Sequence, residues 1–205
     1  MRTAAALMAL AATLTTRGFA AAANMQTRAP SASIDLSERL PDVATTFCID
    51  VLSRKVILPK EPDAEATLFA RYGLTSGAPP AAMEAIGPDV TLVAGATMAS
   101  GSARDGNFIV ALGGRLGETC RIIVYKAINR LFYNFAFNNM QMPALAWRAL
   151  PAQQQPAVAV KLSLFKRDAQ RRPFLANLLA PHVGPISLLI NVAAVPPTVM
   201  LPEGL

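Results

Sequence analysis

Apolar side chains recur along this chain at two different periods, and the change falls near residue 91. From Leu40 they stand at Leu40, Val43, Ala44, Phe47, Cys48, Val51 and Leu52. That is the i, i+3, i+4, i+7 stripe of an amphipathic helix of about three turns. Pro41 suits an early helical position, where its missing N–H leaves no bond unmade. Two shorter helices are expected next. Asp63 caps a run through Ala66, Phe69 and Ala70 that Gly73 stops, and Pro79-Pro80 opens a stretch containing Met83 and Ile86 that Gly87-Pro88 closes.

Beyond residue 90 the period drops to two. Thr91 to Ala99, Asn107 to Leu112 and Thr119 to Lys126 are expected as strands, with Arg104-Asp105-Gly106-Asn107 a strong turn signal and Ser100-Gly101-Ser102 turn chemistry. In the third strand Cys120, Ile122 and Val124 share one face, and Arg121, Ile123 and Tyr125 the other. Ala127 to Met140 carries apolar residues at Ile128, Leu131, Phe132 and Phe135 and is assigned to a helix, although Tyr133, Phe135 and Phe137 alternate as in a strand. A short strand near Trp147 is followed by Ala157 to Phe165, the turn Lys166 to Pro173, Phe174 to Leu179 and Ile186 to Val195. The pattern predicts an α+β fold: an antiparallel β-sheet covered on one face by N-terminal helices, with an α-βββ pseudo-repeat suggested by the order of elements. Residues 40–197 form one domain, in halves 40–126 and 127–197. Residues 24–39 read as a flexible lead-in and 198–205 as an extended tail.

The first 23 residues stand apart. A short positive start, the weakly apolar run Ala4 to Leu14 and the small residues after Phe19 have the form of a secretory signal peptide cut after Ala23. The run is about half the length a membrane-spanning helix needs, so export as a soluble, periplasmic or secreted protein is expected, with no transmembrane segment. The chain has 19 Lys and Arg against 13 Asp and Glu, a formal charge of +6. Cleavage would remove Arg2 and Arg17 and no acid, leaving too little positive charge to favour a nucleic-acid partner. Cys48 and Cys120 are the only cysteines, and an exported chain with that count is expected to join them in a disulfide. The bond would pin the first helix to the third strand, with Cys120, Ile122 and Val124 facing the helix.

Catalytic chemistry leaves no signature. His182, the single histidine, lies in a Pro/Gly-bounded turn with no visible partner for acid–base or metal work, so no catalytic residue, metal or cofactor is assigned. Gly113-Gly114 lacks the following helix of a phosphate loop. Two binding surfaces are expected instead. One is the open sheet face bearing Arg121, Ile123 and Tyr125. The other is the basic hairpin of Lys161, Lys166, Arg167, Arg171 and Arg172, which suits an anionic envelope component. A non-enzymatic envelope binding or accessory module, with that component or another exported protein as partner, is the expected class, and a periplasmic hydrolase using His182 is the alternative.

Overall fold

The computed structural model describes residues 34–87, 93–114, 118–151, 158–196 and 198–199. The expected signal peptide, residues 24–33 of the lead-in and residues 200–205 of the tail lie outside this set.

The first helix begins at Leu36, four residues earlier than the apolar stripe suggested. It runs as α1 (Leu36–Val43), a π-helical turn (Ala44–Cys48) and α2 (Ile49–Leu52). Pro41 is therefore interior to the helix and cannot donate to the carbonyl of Ser37. The side-chain amide of Asn139 does so instead, at 2.8 Å. The helix start is also capped from a distance. Asp35 occupies the N-cap position, but its carboxylate is taken by Arg104, with Nε and Nη2 at 2.8 and 2.7 Å. The orphan N–H of Leu36 donates to Oδ1 of Asp105 at 2.7 Å, so a hairpin turn nearly 70 residues away performs the capping.

Two further helices follow, α3 (Pro62–Arg71) and α4 (Pro80–Ile86), and a fourth segment, α5 (Phe132–Met140), lies against α1. The expected helix from Ala127 is shorter than its pattern, because Ala127 ends a strand and residues 128–131 form a connector. Arg39 is fully buried, and its Nη2 donates to the carbonyls of Tyr72 and Gly73 just past the end of α3. Those are carbonyls the helix itself cannot satisfy. Gly73 has φ +64°, and a Cβ there would strike the guanidinium.

The strands are β1 (Thr75–Ser76), β2 (Ala96–Ala103), β3 (Gly106–Gly113), β4 (Thr119–Ala127), β5 (Arg148–Ala149), β6 (Ala159–Arg167), β7 (Pro173–Pro181) and β8 (Leu188–Ala194). They form one eight-stranded antiparallel sheet in the order β1-β2-β3-β4-β8-β7-β6-β5. Each half of the chain contributes a two-residue edge strand and a three-strand meander, and the halves meet where β4 pairs with β8. The expected α+β class holds, and the α-βββ order gains one short edge strand in each half. β2 runs on through Ser100-Gly101-Ser102, which the sequence suggested as a turn. Gly101 opposes Phe108, and a Cβ at 101 would collide with that ring, so the glycine makes room for an aromatic rather than a bend.

One face of the sheet presents Phe108, Val110, Leu112, Cys120, Ile122, Val124, Ile190 and Val192 to Leu36, Leu40, Val43 and Phe47 of the first helix. Cys48 and Cys120 are disulfide-bonded across this layer, with Cα atoms 5.5 Å apart. The second face is not open over β3 and β4. There α4 lays Ala82 and Ile86 over Ile109, Ala111, Ile123 and Tyr125 in a smaller apolar cluster. Coverage by helices on one face alone, as expected from the pattern, is thus corrected to coverage on both faces at this part of the sheet.

Candidate functional site

The sheet has two chemically different ends, and the residues of interest divide between them. At the disulfide end lie the start of β4, the end of β8 and the turn between β6 and β7, as the pairings Thr119 with Ala193 and Phe174 with Ala194 require. At the other end lie the turn of Asp105, the end of β4 and the turn between β7 and β8.

The first predicted surface is not a surface. Arg121 is 3% exposed, Ile123 0% and Tyr125 7%, because α4 covers this stretch. The Arg121 guanidinium donates to the carbonyl of Gly113 at 3.1 Å and to Oγ1 of Thr119. Burial lowers its pKa and raises that of the Tyr125 phenol. Register also places Arg121 in a polar row across the sheet with Asn191, Asn177 and Ser163. Ser163 Oγ lies 2.8 Å from Asn177 Oδ1. Two asparagines in the middle of apolar strands were the sequence signal for this row.

The basic hairpin is at the disulfide end, and most of its charge is engaged. Arg172 donates through Nε to Asp168 at 2.8 Å, and through Nη1 to the carbonyl of Ser53, just past α2, at 2.7 Å. Arg167 donates to the carbonyl of Arg171 and lies over the Phe165 ring. Lys166 donates to the carbonyl of Leu145, and burial lowers its pKa. These three side chains brace the turn against its surroundings. Arg171, at φ +63°, is exposed at the tip, and Lys161 is half-buried on β6.

His182 is exposed on the turn after β7. Its backbone is engaged, with N–H to the carbonyl of Val158 at 3.0 Å and its own carbonyl accepting from Arg130. No carboxylate or hydroxyl among the described residues is hydrogen-bonded to its ring. Among the described residues no three His, Cys, Asp or Glu side chains are grouped to hold a metal.

Two features escaped the sequence. At the end away from the disulfide, Ile128 is 84% exposed and Val183 77%, and Leu131, Phe135 and Val158 also stand largely in solvent. Arg130 ties this region together by donating to the carbonyls of His182 and Gly184. Leu131 and Phe135 are four residues apart on the solvent side of α5, while Phe132, Ala136 and Met140 fill its buried side. Asn134 and Asn138 are exposed on the same side, so Leu131 and Phe135 are two apolar positions on an otherwise polar face. At the disulfide end is a cleft of about 470 Å³ lined by Val51, Leu52, Val56, Leu58 and Leu112, with Arg54 and Glu118 at its rim. No single run of sequence forms it, so periodicity could not reveal it.

Comparison with protein-family models, with curated proteins and with solved structures finds no match for this chain.

Proposed function

We propose that this chain is an exported, non-enzymatic module of the cell envelope that rests on an anionic membrane surface through its apolar end. The observation that carries this is the group Ile128, Leu131, Phe135 and Val183, large apolar side chains held in solvent on a braced framework. Extensive exposed apolar surface marks contact with a partner or a membrane, and the bonds of Arg130 to His182 and Gly184 bring Val183 toward Ile128 and Leu131. A lipid surface suits it because the stretch from Lys126 to Met140 carries Lys126 and Arg130 and no acid. Basic residues beside an apolar helix face combine headgroup attraction with shallow insertion. Among the described residues no helix is long and apolar enough to cross a membrane, and this reading needs none. The basic hairpin becomes secondary, since it lies at the disulfide end, away from this apolar group.

Sedimentation with vesicles of phosphatidylglycerol, compared with phosphatidylcholine, tests the proposal. The protein should sediment with the anionic vesicles, and the Leu131→Asp/Phe135→Asp variant should lose at least tenfold in binding, since burying one such side chain contributes about 1.5–3 kcal/mol. Arg171→Glu should change little. Failure of the unmodified protein to sediment, or equal sedimentation of the double variant, would overturn the reading.

A further inference from the structure

The cleft at the disulfide end has the construction of a ligand site, and we infer that it binds a single-chain amphiphile with one anionic head group. Its walls come from the last turn of α2 (Val51, Leu52), the connector after it (Val56, Leu58) and the end of β3 (Leu112). All five are aliphatic. A volume of about 470 Å³ falls within the range of small-molecule sites, and apolar walls with one or two polar groups at the mouth are their usual make-up. The Cys48–Cys120 bond adjoins the cleft on both sides, one turn before Leu52 and one residue after Thr119, so the two walls are covalently held in position.

The polar groups at the mouth select the head group. Arg54 and Glu118 form an ion pair at 3.1 Å across the rim, and both side chains are exposed. A solvated pair of this kind contributes roughly 0–1 kcal/mol, so a competing anion displaces Glu118 at little cost. The guanidinium offers a forked, bidentate donor set matched to a carboxylate or phosphate. Its backbone is informative as well. Arg54 follows the end of α2 at φ +57°, a left-handed position where glycine is the usual residue and a side chain is strained. Arg54 in this conformation is among the residues that line the cleft. Lys55, the next residue, is already committed to Asp50 at 2.9 Å. The amphiphile would lay its tail against Val51, Leu52 and Leu112 and exchange its head group for Glu118 on Arg54.

Calorimetric titration of the oxidised full chain with decanoate, decanol and decylammonium, each below its aggregation limit, tests this. Decanoate should bind saturably at one per chain, about tenfold more tightly than decanol, with decylammonium weakest. Arg54→Gly should keep the fold, because glycine suits the backbone there, and should bring decanoate down to the affinity of decanol. Arg54→Gln should do the same without altering backbone freedom. Val51→Trp, which fills the cleft, should remove binding of all three. The inference is overturned by absence of saturable decanoate binding, by equal affinity for decanoate and decanol, by preference for the amine, or by unchanged decanoate binding in both Arg54 variants. The Leu131→Asp/Phe135→Asp variant should bind decanoate normally, so this site and the membrane surface succeed or fail independently.

Discussion

The two ends of the sheet are held together by different chemistry. At the disulfide end the chain is tied by a covalent bond and by Arg172 reaching the carbonyl of Ser53, and most of the hairpin's cations are engaged with backbone carbonyls. At the opposite end the ties are the N–H of Leu36 donating to Asp105, the guanidinium of Arg130 donating to the turn after β7 and the Arg104–Asp35 ion pair, and large apolar side chains are left outside. β4 connects the two, nine residues or about 30 Å of strand with the disulfide at one end and Ile128 just beyond the other. A charge cluster read from sequence therefore marked the end that the disulfide braces, while the large exposed apolar side chains lie at the other.

The sharpest way to break the contrast is to cut the covalent tie. Replacing Cys48 and Cys120 by Ala removes closure of a 72-residue separation, and in the loop-entropy model the loss is about 4 kcal/mol. Urea unfolding of the double variant should show a midpoint far below that of the oxidised protein, and so should the reduced protein. Two reactive thiols in the unreduced, unfolded chain would contradict the bond itself. At the opposite end the corresponding change is Asp105→Ala, which strips the N–H of Leu36 of its acceptor. A lost helix cap costs about 1–2 kcal/mol, so the effect on the same unfolding curve should be smaller. If Asp105→Ala matched the cysteine variant, the ends would not differ in the way described.

Much of this arrangement was legible. The spacing of Phe47, Cys48 and Val51 gave the buried helix face and the alternation of Cys120, Ile122 and Val124 the strand face, while the disulfide between them followed from the count of two cysteines. What failed was whatever depended on a distant partner. The stretch PAAMEAI of α4 is too small and too rich in alanine to announce that it shields Ile123 and Tyr125. Gly101 looked like a bend because the Phe108 ring it accommodates lies across the hairpin. The cleft draws on α2, a connector and two strand ends, and Arg54 carries no sequence signal beyond its charge.

Between the two ends, Tyr72 offers a titration that reads the packing directly. Its phenol pKa is pushed up to about 12 by burial and by the hydrogen bond its hydroxyl donates to Asp50 at 3.0 Å. The folded state thus favours the neutral phenol. Its contribution to stability is fully present below pH 10, the ordinary tyrosine value, and fades as pH rises through about 12. Burial also raises the Tyr125 phenol, so phenolate absorbance should show late ionisation in the native protein that Tyr72→Phe reduces by one tyrosine. A Tyr72→Phe variant with an unchanged alkaline titration would place the late group elsewhere.

The smallest effects should come from adjacent residues of the basic hairpin, and their difference separates charge from bracing. Arg172→Gln loses the bonds to Asp168 and to Ser53, and with hydrogen bonds of this type contributing about 1 kcal/mol net it should lower stability by that order. Arg171 sits at the tip with φ +63°, so Arg171→Gly relieves a left-handed side chain while increasing the freedom of the unfolded chain. Those two effects oppose each other, and stability should change by no more than about 0.5 kcal/mol. Both variants lose one positive charge, so a stability set by net charge would shift them equally. Unequal shifts, with Arg172→Gln the lower, would show that Arg172 acts as a strut at this end through its bonds to Asp168 and Ser53 and not through its charge alone.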